Sequence, residues 1–394
     1  MTASESKSES SASGLKRVFS SYLVLGHVVN DTSSNSLSGL LPVLTASYGL
    51  SYLLAGVVAT VFNITSSILQ PLLGHWFDRS RVAWLLEAGV AVNCIGIGLI
   101  GLSPTYTVLL LLVGIGGLGS AAFHPPAFSA VVESSYSTRG RAMGMFVSGG
   151  NIGFFLGPLV VGLLVSAFGL PGMLLLVPVG LTTAFFLLRI RPTSGLATAS
   201  AARQAQPAKR GLLVLLATIT AFRSVAIQSA VTFLPLYFVA KGNSLLVATS
   251  IASFWLAVGV LGQIGGGMLS DRVGRRPVVA TSLLAGTLFF YGFLTTTGLL
   301  SLVLLAVAGA LLYASWSVIV VMSSEAAPSH VGAVTGFMLG FSVGIGGLAV
   351  LGFGAAADIA GLAWAFNLVI AFALAGGLLS LFLPRRVQAS RVGL

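Results

Sequence analysis

Residues 267–276 read Gly267-Met268-Leu269-Ser270-Asp271-Arg272-Val273-Gly274-Arg275-Arg276, a charged junction joining two apolar runs, 246–270 and 277–297. Each run is long enough to cross a bilayer, for which about 20 predominantly apolar residues suffice. A carboxylate and arginines at such a junction can hold neighbouring helix ends by charge-assisted hydrogen bonds and offset helix dipoles. Residues 74–81, Gly74-His75-Trp76-Phe77-Asp78-Arg79-Ser80-Arg81, occupy the same place between runs 52–76 and 82–102. Asp78 and Asp271 stand 193 residues apart, close to half of the 394-residue chain. The chain therefore reads as an internal repeat of membrane spans.

Working outward from the two junctions, twelve spans are predicted: 18–45, 52–76, 82–102, 106–133, 141–168, 171–190, 212–240, 246–270, 277–297, 299–324, 331–357 and 361–383. Composition agrees, with 56% apolar and 7% charged residues, where a soluble chain carries about 25% charged. The mean hydropathy of +1.00 fits a chain solvated mostly by lipid, and the 49 glycines fit close helix approach. The expected organisation is a disordered polar tail (1–17), a six-helix half (18–190), a polar linker (191–211), a second six-helix half (212–383) and a short tail (384–394). The first span is too long, and its leader too polar, for a cleavable signal peptide. Cys94, the single cysteine, lies in an apolar run and reads as a buried small hydrophobe.

The net charge of +11 does not mark nucleic-acid binding, because the cations stand singly or in short groups between apolar runs. Of the 20 Lys and Arg, all but Lys241 and Arg223 fall on the N-terminal side of the predicted membrane. By the positive-inside rule this places both termini in the cytoplasm, with the protein in the inner (cytoplasmic) membrane.

The 267–276 junction is a full match to the Gly-x-x-x-Asp-Arg-x-Gly-Arg-Arg signature of the major facilitator superfamily, which residues 18–383 resemble. The 74–81 junction is a partial match. The resemblance implies an all-α membrane fold of two pseudo-symmetric six-helix halves around a central cavity. It also implies secondary active transport by alternating access, generally by a monomer. Gly74, Asp78, Arg79, Gly267, Asp271, Arg272, Arg275 and Arg276 are then gating-loop residues. In the fifth span, Gly149-Gly150-Asn151-Ile152-Gly153-Phe154-Phe155-Leu156-Gly157-Pro158 resembles the antiporter motif of exporters, with Gly153, Gly157 and Pro158 as its core. The same glycines read equally as a flat face for helix packing.

Gly26-His27-Val28-Val29-Asn30-Asp31, Phe62-Asn63 through Gln70-Pro71, and Gly119-Ser120-Ala121-Ala122-Phe123-His124-Pro125 resemble the fosmidomycin-resistance branch, whose known member exports a small phosphonate antibiotic. In that branch Phe-His-Pro is typically followed by Glu and Arg. Here those positions are Pro126 and Ser129, so no role of those charges carries over.

Ionisable residues at membrane depth mark function by default, because burying them is costly. Asp31 lies near the middle of the first span and Arg223 near the middle of the seventh. The 193-residue offset maps Asp31 to position 224, next to Arg223. Asp31 is the expected proton-coupling carboxylate, with His27 one turn away as a relay. Arg223 is expected to bind an anionic substrate or to pair with Asp31. The alternative is a fixed structural ion pair, or an Asp31 held by local hydrogen bonds. Asn30, Asn63, Gln70, His124, Asn151 and Gln228 complete the candidate substrate-binding set, with interhelical hydrogen bonding as their other reading. The double proline after His124 is expected to break its helix. Phe62, Phe123, Tyr237, Trp255 and Trp316 read as aromatic walls or as lipid-facing rings. Glu87, Glu133, Glu325 and His330 are expected to pair with loop arginines such as Arg139 and Arg141. Asp358 is expected to cap the turn at Gly361.

The chain carries no catalytic signature such as His-Glu-x-x-His, no metal-ligand cysteine spacing and no cofactor motif, which argues against an enzyme. The predicted function is proton-coupled export (antiport) of a small organic molecule or drug. Import or facilitated passage of an organic anion or metabolite is the alternative. The expected partners are a small-molecule substrate, protons and the lipid bilayer.

Overall fold

A computed structural model describes residues 3–80, 82, 84–134, 139–190, 209–328 and 331–384. Among them the chain is almost wholly helical, in thirteen α-helices. The first half contains α1 (Ala3–Tyr48), α2 (Tyr52–Asn63), α3 (Gln70–Ser80), α4 (Leu85–Leu99), α5 (Tyr106–Ser134), α6 (Arg139–Phe168) and α7 (Leu176–Ile190). A π-helical turn, Ile64–Ile68, joins α2 to α3 into one span. The second half contains α8 (Arg210–Ala240), α9 (Leu245–Val273), α10 (Arg275–Thr295), α11 (Gly298–Ala326), α12 (Val331–Ala360) and α13 (Leu362–Ser380).

Eleven spans among the described residues are long and apolar enough to cross a membrane. The twelfth is α1, whose middle is loaded with polar residues. Several of these, Asn30, Ser33 and Ser36 among them, are buried inside the protein and not in contact with lipid, which is the usual arrangement for polar groups in a span. The protein is thus an all-α, multi-pass membrane protein of twelve spans.

The helices cluster into two compact units, residues 1–43, 61–200 and 245–250 in one, and 44–60, 201–244 and 251–394 in the other. In the first, α4 packs on α5 and α7. In the second, α10 packs on α11 and α13. These are spans three, four and six and spans nine, ten and twelve, so the repeat in sequence is a repeat in packing. The core of the first unit gathers Phe19, Leu23, Val90, Cys94, Phe123 and Phe146. Cys94 is fully buried, as its apolar setting predicts.

Residues 3–17 make up the first part of α1. Extending an existing helix costs far less than starting one, and this stretch holds no proline. Three local expectations are corrected. The Pro125-Pro126 pair does not end α5, which runs through it to Ser134. Membrane helices tolerate such prolines because neighbouring groups satisfy the freed carbonyls. The aromatics Phe62, Phe123, Tyr237 and Trp255 are buried in the protein and do not face lipid. Asp358 caps a different turn. Its carboxylate accepts from the Tyr52 and Leu53 N–H groups at the start of α2, at 2.7 and 2.9 Å, where the helix leaves donors without internal partners. The linker 191–208, the tail 385–394, Arg81, His330 and the side chains of Asp78, Glu133 and Arg139 lie outside the described residues.

The glycine face of α6 packs directly on α1. A methyl at Gly153 would sit 2.5 Å from the Val28 carbonyl oxygen and 2.9 Å from Asp31 Cβ. A methyl at Gly157 would sit 2.6 Å from the Asn35 carbonyl carbon. These neighbours are largely backbone and cannot swing aside. Gly153→Ala should therefore cost about 1–3 kcal/mol by overpacking, read as a lowered thermal midpoint of the purified protein. Gly336→Ala, where nothing lies within 4 Å, is the control. Equal midpoints for the two variants would refute this packing.

Candidate functional site

The polar residues of α1 meet those of α4 and α5 inside the first unit. His27 and Asp31 are one turn apart on α1, with His27 Nε2 3.3 Å from Asp31 Oδ2. His124 of α5 reaches the other carboxylate oxygen, Nε2 to Oδ1 at 3.5 Å. Asn30 Nδ2 donates to Asp31 Oδ1 at 3.0 Å. The cluster is mostly buried; the Asp31 side chain keeps 18% exposure and that of His124 19%.

The histidine tautomers follow from their far sides. His27 Nδ1 lies 2.8 Å from the Phe146 carbonyl oxygen, and His124 Nδ1 lies 2.8 Å from that of Ser120. A carbonyl oxygen only accepts, so both Nδ1 atoms carry hydrogen. Both Nε2 atoms are then lone-pair positions in the neutral rings, and both are aimed at one carboxylate. Rings hold the arrangement: His27 stacks on Phe146 with centroids 4.1 Å apart, and His124 stands edge-on to His27 at 5.4 Å. The glycine face of α6 closes it, since a methyl at Gly150 would lie 2.5 Å from His27 Nε2. Chemically, the site can hold one or more protons, or another cation, between two imidazoles and a carboxylate.

Asn93 of α4 escapes a motif-based reading. It is fully buried and donates from Nδ2 to Asn30 O and Asn30 Oδ1, both at 2.9 Å, and to Ser34 Oγ at 3.0 Å. It thereby orients the Asn30 amide that meets Asp31. Its only sequence signal is polarity in the middle of an apolar span.

In the second unit, α8 carries Arg223, 5% exposed. Its Nε donates to Ser315 Oγ at 2.9 Å and to Leu312 O at 3.3 Å. Its guanidinium lies over the Trp316 ring at 5.0 Å and the Tyr313 ring at 5.7 Å. Within this unit, among the described residues, no carboxylate pairs with it. A buried cation is ordinarily paired with a charge; the contacts shown here are two oxygen acceptors and two ring faces. Gln228, on the same helix, packs against Gly346 of α12.

The remaining predicted residues are not part of either cluster. Asn63 and Gln70 flank the π-helical turn, and a half-buried Asn151 lies on α6. At the 267–276 junction, Arg275 binds Asp271, Ser270 Oγ at 2.8 Å and Glu325 at 3.3 Å. Glu325 therefore pairs with a loop arginine, Arg275. Gly274 makes the turn with φ +98°, a region that strongly favours glycine.

Residues 23–267 match the Major Facilitator Superfamily. The chain belongs to that superfamily and is a transporter, not an enzyme. It is 27% identical over 375 residues to the fosmidomycin resistance protein of Escherichia coli (strain K12), covering 91% of each chain. It is 28% identical over 396 residues to the MFS-type transporter YfnC of Bacillus subtilis (strain 168), covering 93% of each. Among solved structures it resembles a bacterial homologue of the human lysosomal transporter Spinster, inward-facing and occupied. There the TM-score is 0.81 at 16% identity, over 92% of this chain and 96% of the other. It also resembles the D-xylose-proton symporter, with a TM-score of 0.73 at 16% identity, over 93% and 97%.

Proposed function

We propose that the protein is a proton-coupled exporter of a small organic anion. It would sit in the inner membrane with both termini in the cytoplasm, and work by alternating access as a monomer. The observation that carries this reading is Asp31, a mostly buried carboxylate whose two oxygens lie 3.3 and 3.5 Å from the Nε2 atoms of His27 and His124. Such a group inside a span is expensive unless it carries protons or another cation. Arg223, buried without a carboxylate partner among the described residues of its own unit, supports an anionic substrate. The fosmidomycin resistance protein, similar over nearly the whole chain, supports export. The Lys and Arg asymmetry supports the orientation.

The test is thermal stabilisation of the purified protein by a panel of phosphonates (fosmidomycin included), organic acids, sugars and cationic drugs. A ligand that binds the folded state raises its midpoint by mass action, worth about 2.7 kcal/mol at a hundred times Kd. Shifts confined to anions are expected. Shifts confined to cations or sugars would contradict the reading. Accumulation of the shifting ligand by intact cells would indicate import.

A further inference from the structure

We propose that His27, Asp31 and His124 form a binding site for a divalent transition-metal ion of the zinc class. Their ligand atoms all lie within 4.8 Å of one another. His27 Nε2 lies 3.3 Å from Oδ2 and His124 Nε2 3.5 Å from Oδ1, so a carboxylate chelating through both oxygens would stand beside each imidazole at a spacing that suits bonds of about 2.0–2.2 Å. Two imidazoles and one carboxylate select zinc, cobalt or nickel over magnesium or calcium, which prefer oxygen ligands.

The surroundings are those of a prepared metal site. Metal-bound histidines usually donate their second ring N–H to a carbonyl, which fixes the tautomer and the ring. Both histidines do so here, through the Phe146 and Ser120 carbonyls. The carboxylate is oriented in turn by the Asn30 amide. The partial exposure of Asp31 and His124 leaves a way in and positions for water. A neutral pair of histidines would present two lone pairs to an anionic carboxylate, and a metal ion removes that repulsion by binding all three. The ion comes from either face of the membrane as a competitor of the coupling proton or as a co-substrate. Its binding depends on neither the transport direction nor the coupling scheme.

The experiment uses the full chain, purified, freed of its affinity tag and stripped with a chelator, then titrated with Co2+. Expected is a visible band of four-coordinate cobalt at one ion per chain, displaced by Zn2+ and not by Mg2+. His27→Gln and His124→Gln should each weaken binding at least tenfold, whereas His75→Gln should not. X-ray absorption of the zinc-loaded wild type should show two imidazole ligands, a readout that does not depend on any variant folding. No cobalt band, or a spectrum without imidazole, would overturn the proposal. Because binding is read without transport, that outcome leaves the coupling role of Asp31 standing. Metal binding beside pH-independent transport would instead support the metal site and count against proton coupling at Asp31.

Discussion

Asp31→Asn is expected to reduce gradient-driven transport to background while the protein still folds. Asparagine matches the carboxylate in shape and can still meet Asn30 and the two histidines. What it cannot do is alternate between anion and neutral acid. In an exchanger, loss of that alternation uncouples substrate movement from the proton gradient, although substrate-for-substrate exchange can persist. The measurement is substrate accumulation in inverted vesicles with an imposed pH gradient, beside exchange in the same vesicles. Loss of accumulation with exchange retained fits the proposed role. Accumulation at the wild-type level, with the wild-type pH profile, would sink it. A purely structural carboxylate predicts a different pattern, in which both activities fall together with the thermal midpoint.

Arg223→Gln carries the second large effect. The guanidinium is held by Ser315 and the Leu312 carbonyl and flanked by Trp316 and Tyr313. These contacts involve Nε and the guanidinium faces; in the proposed role the terminal nitrogens meet the anion. A hydrogen bond to a charged group is worth about 1.5–3 kcal/mol, so an anionic ligand should bind roughly 10- to 100-fold more weakly to the variant. Removing an unpaired buried charge should leave the fold as stable or more so. Arg223→Lys should recover only part of the affinity, since the planar fork is lost. Unchanged affinity in Arg223→Gln, measured by the ligand-induced midpoint shift, would remove this residue from the substrate site.

The fold was legible because lipid imposes a simple code. Spans must be about 20 apolar residues long, and the charges between them must be polar-loop charges of biased sign. The repeat of the Asp-Arg junction marked the halves, and the packing of α4 and of α10 reproduces it. Asp31 and Arg223 were legible for the same reason, as charges where charge is costly. Their partners were not. His124 is 93 residues from Asp31 in sequence and meets it only because α5 passes beside α1. Its neighbouring prolines suggested a broken helix, whereas an unbroken one aims the ring. Asn93 had no motif to reveal it. Glu325 meets Arg275 across 50 residues, a pairing that depends on how α11 ends, and spacing does not encode that. The glycines of α6 allowed two readings in sequence. The structure shows them packed against the helix that carries Asp31, and packing alone accounts for their contacts.

The most direct test of proton coupling is the proton movement itself. In proteoliposomes containing a pH-sensitive dye and no imposed gradient, the anion selected by the stability panel is supplied on one side. The proposed antiport predicts a pH change as the anion enters, opposite in direction to anion flow for the proton, saturable with the anion and absent in Asp31→Asn. Anion movement at the same rate with no pH change, or a pH change that persists in Asp31→Asn, would contradict it.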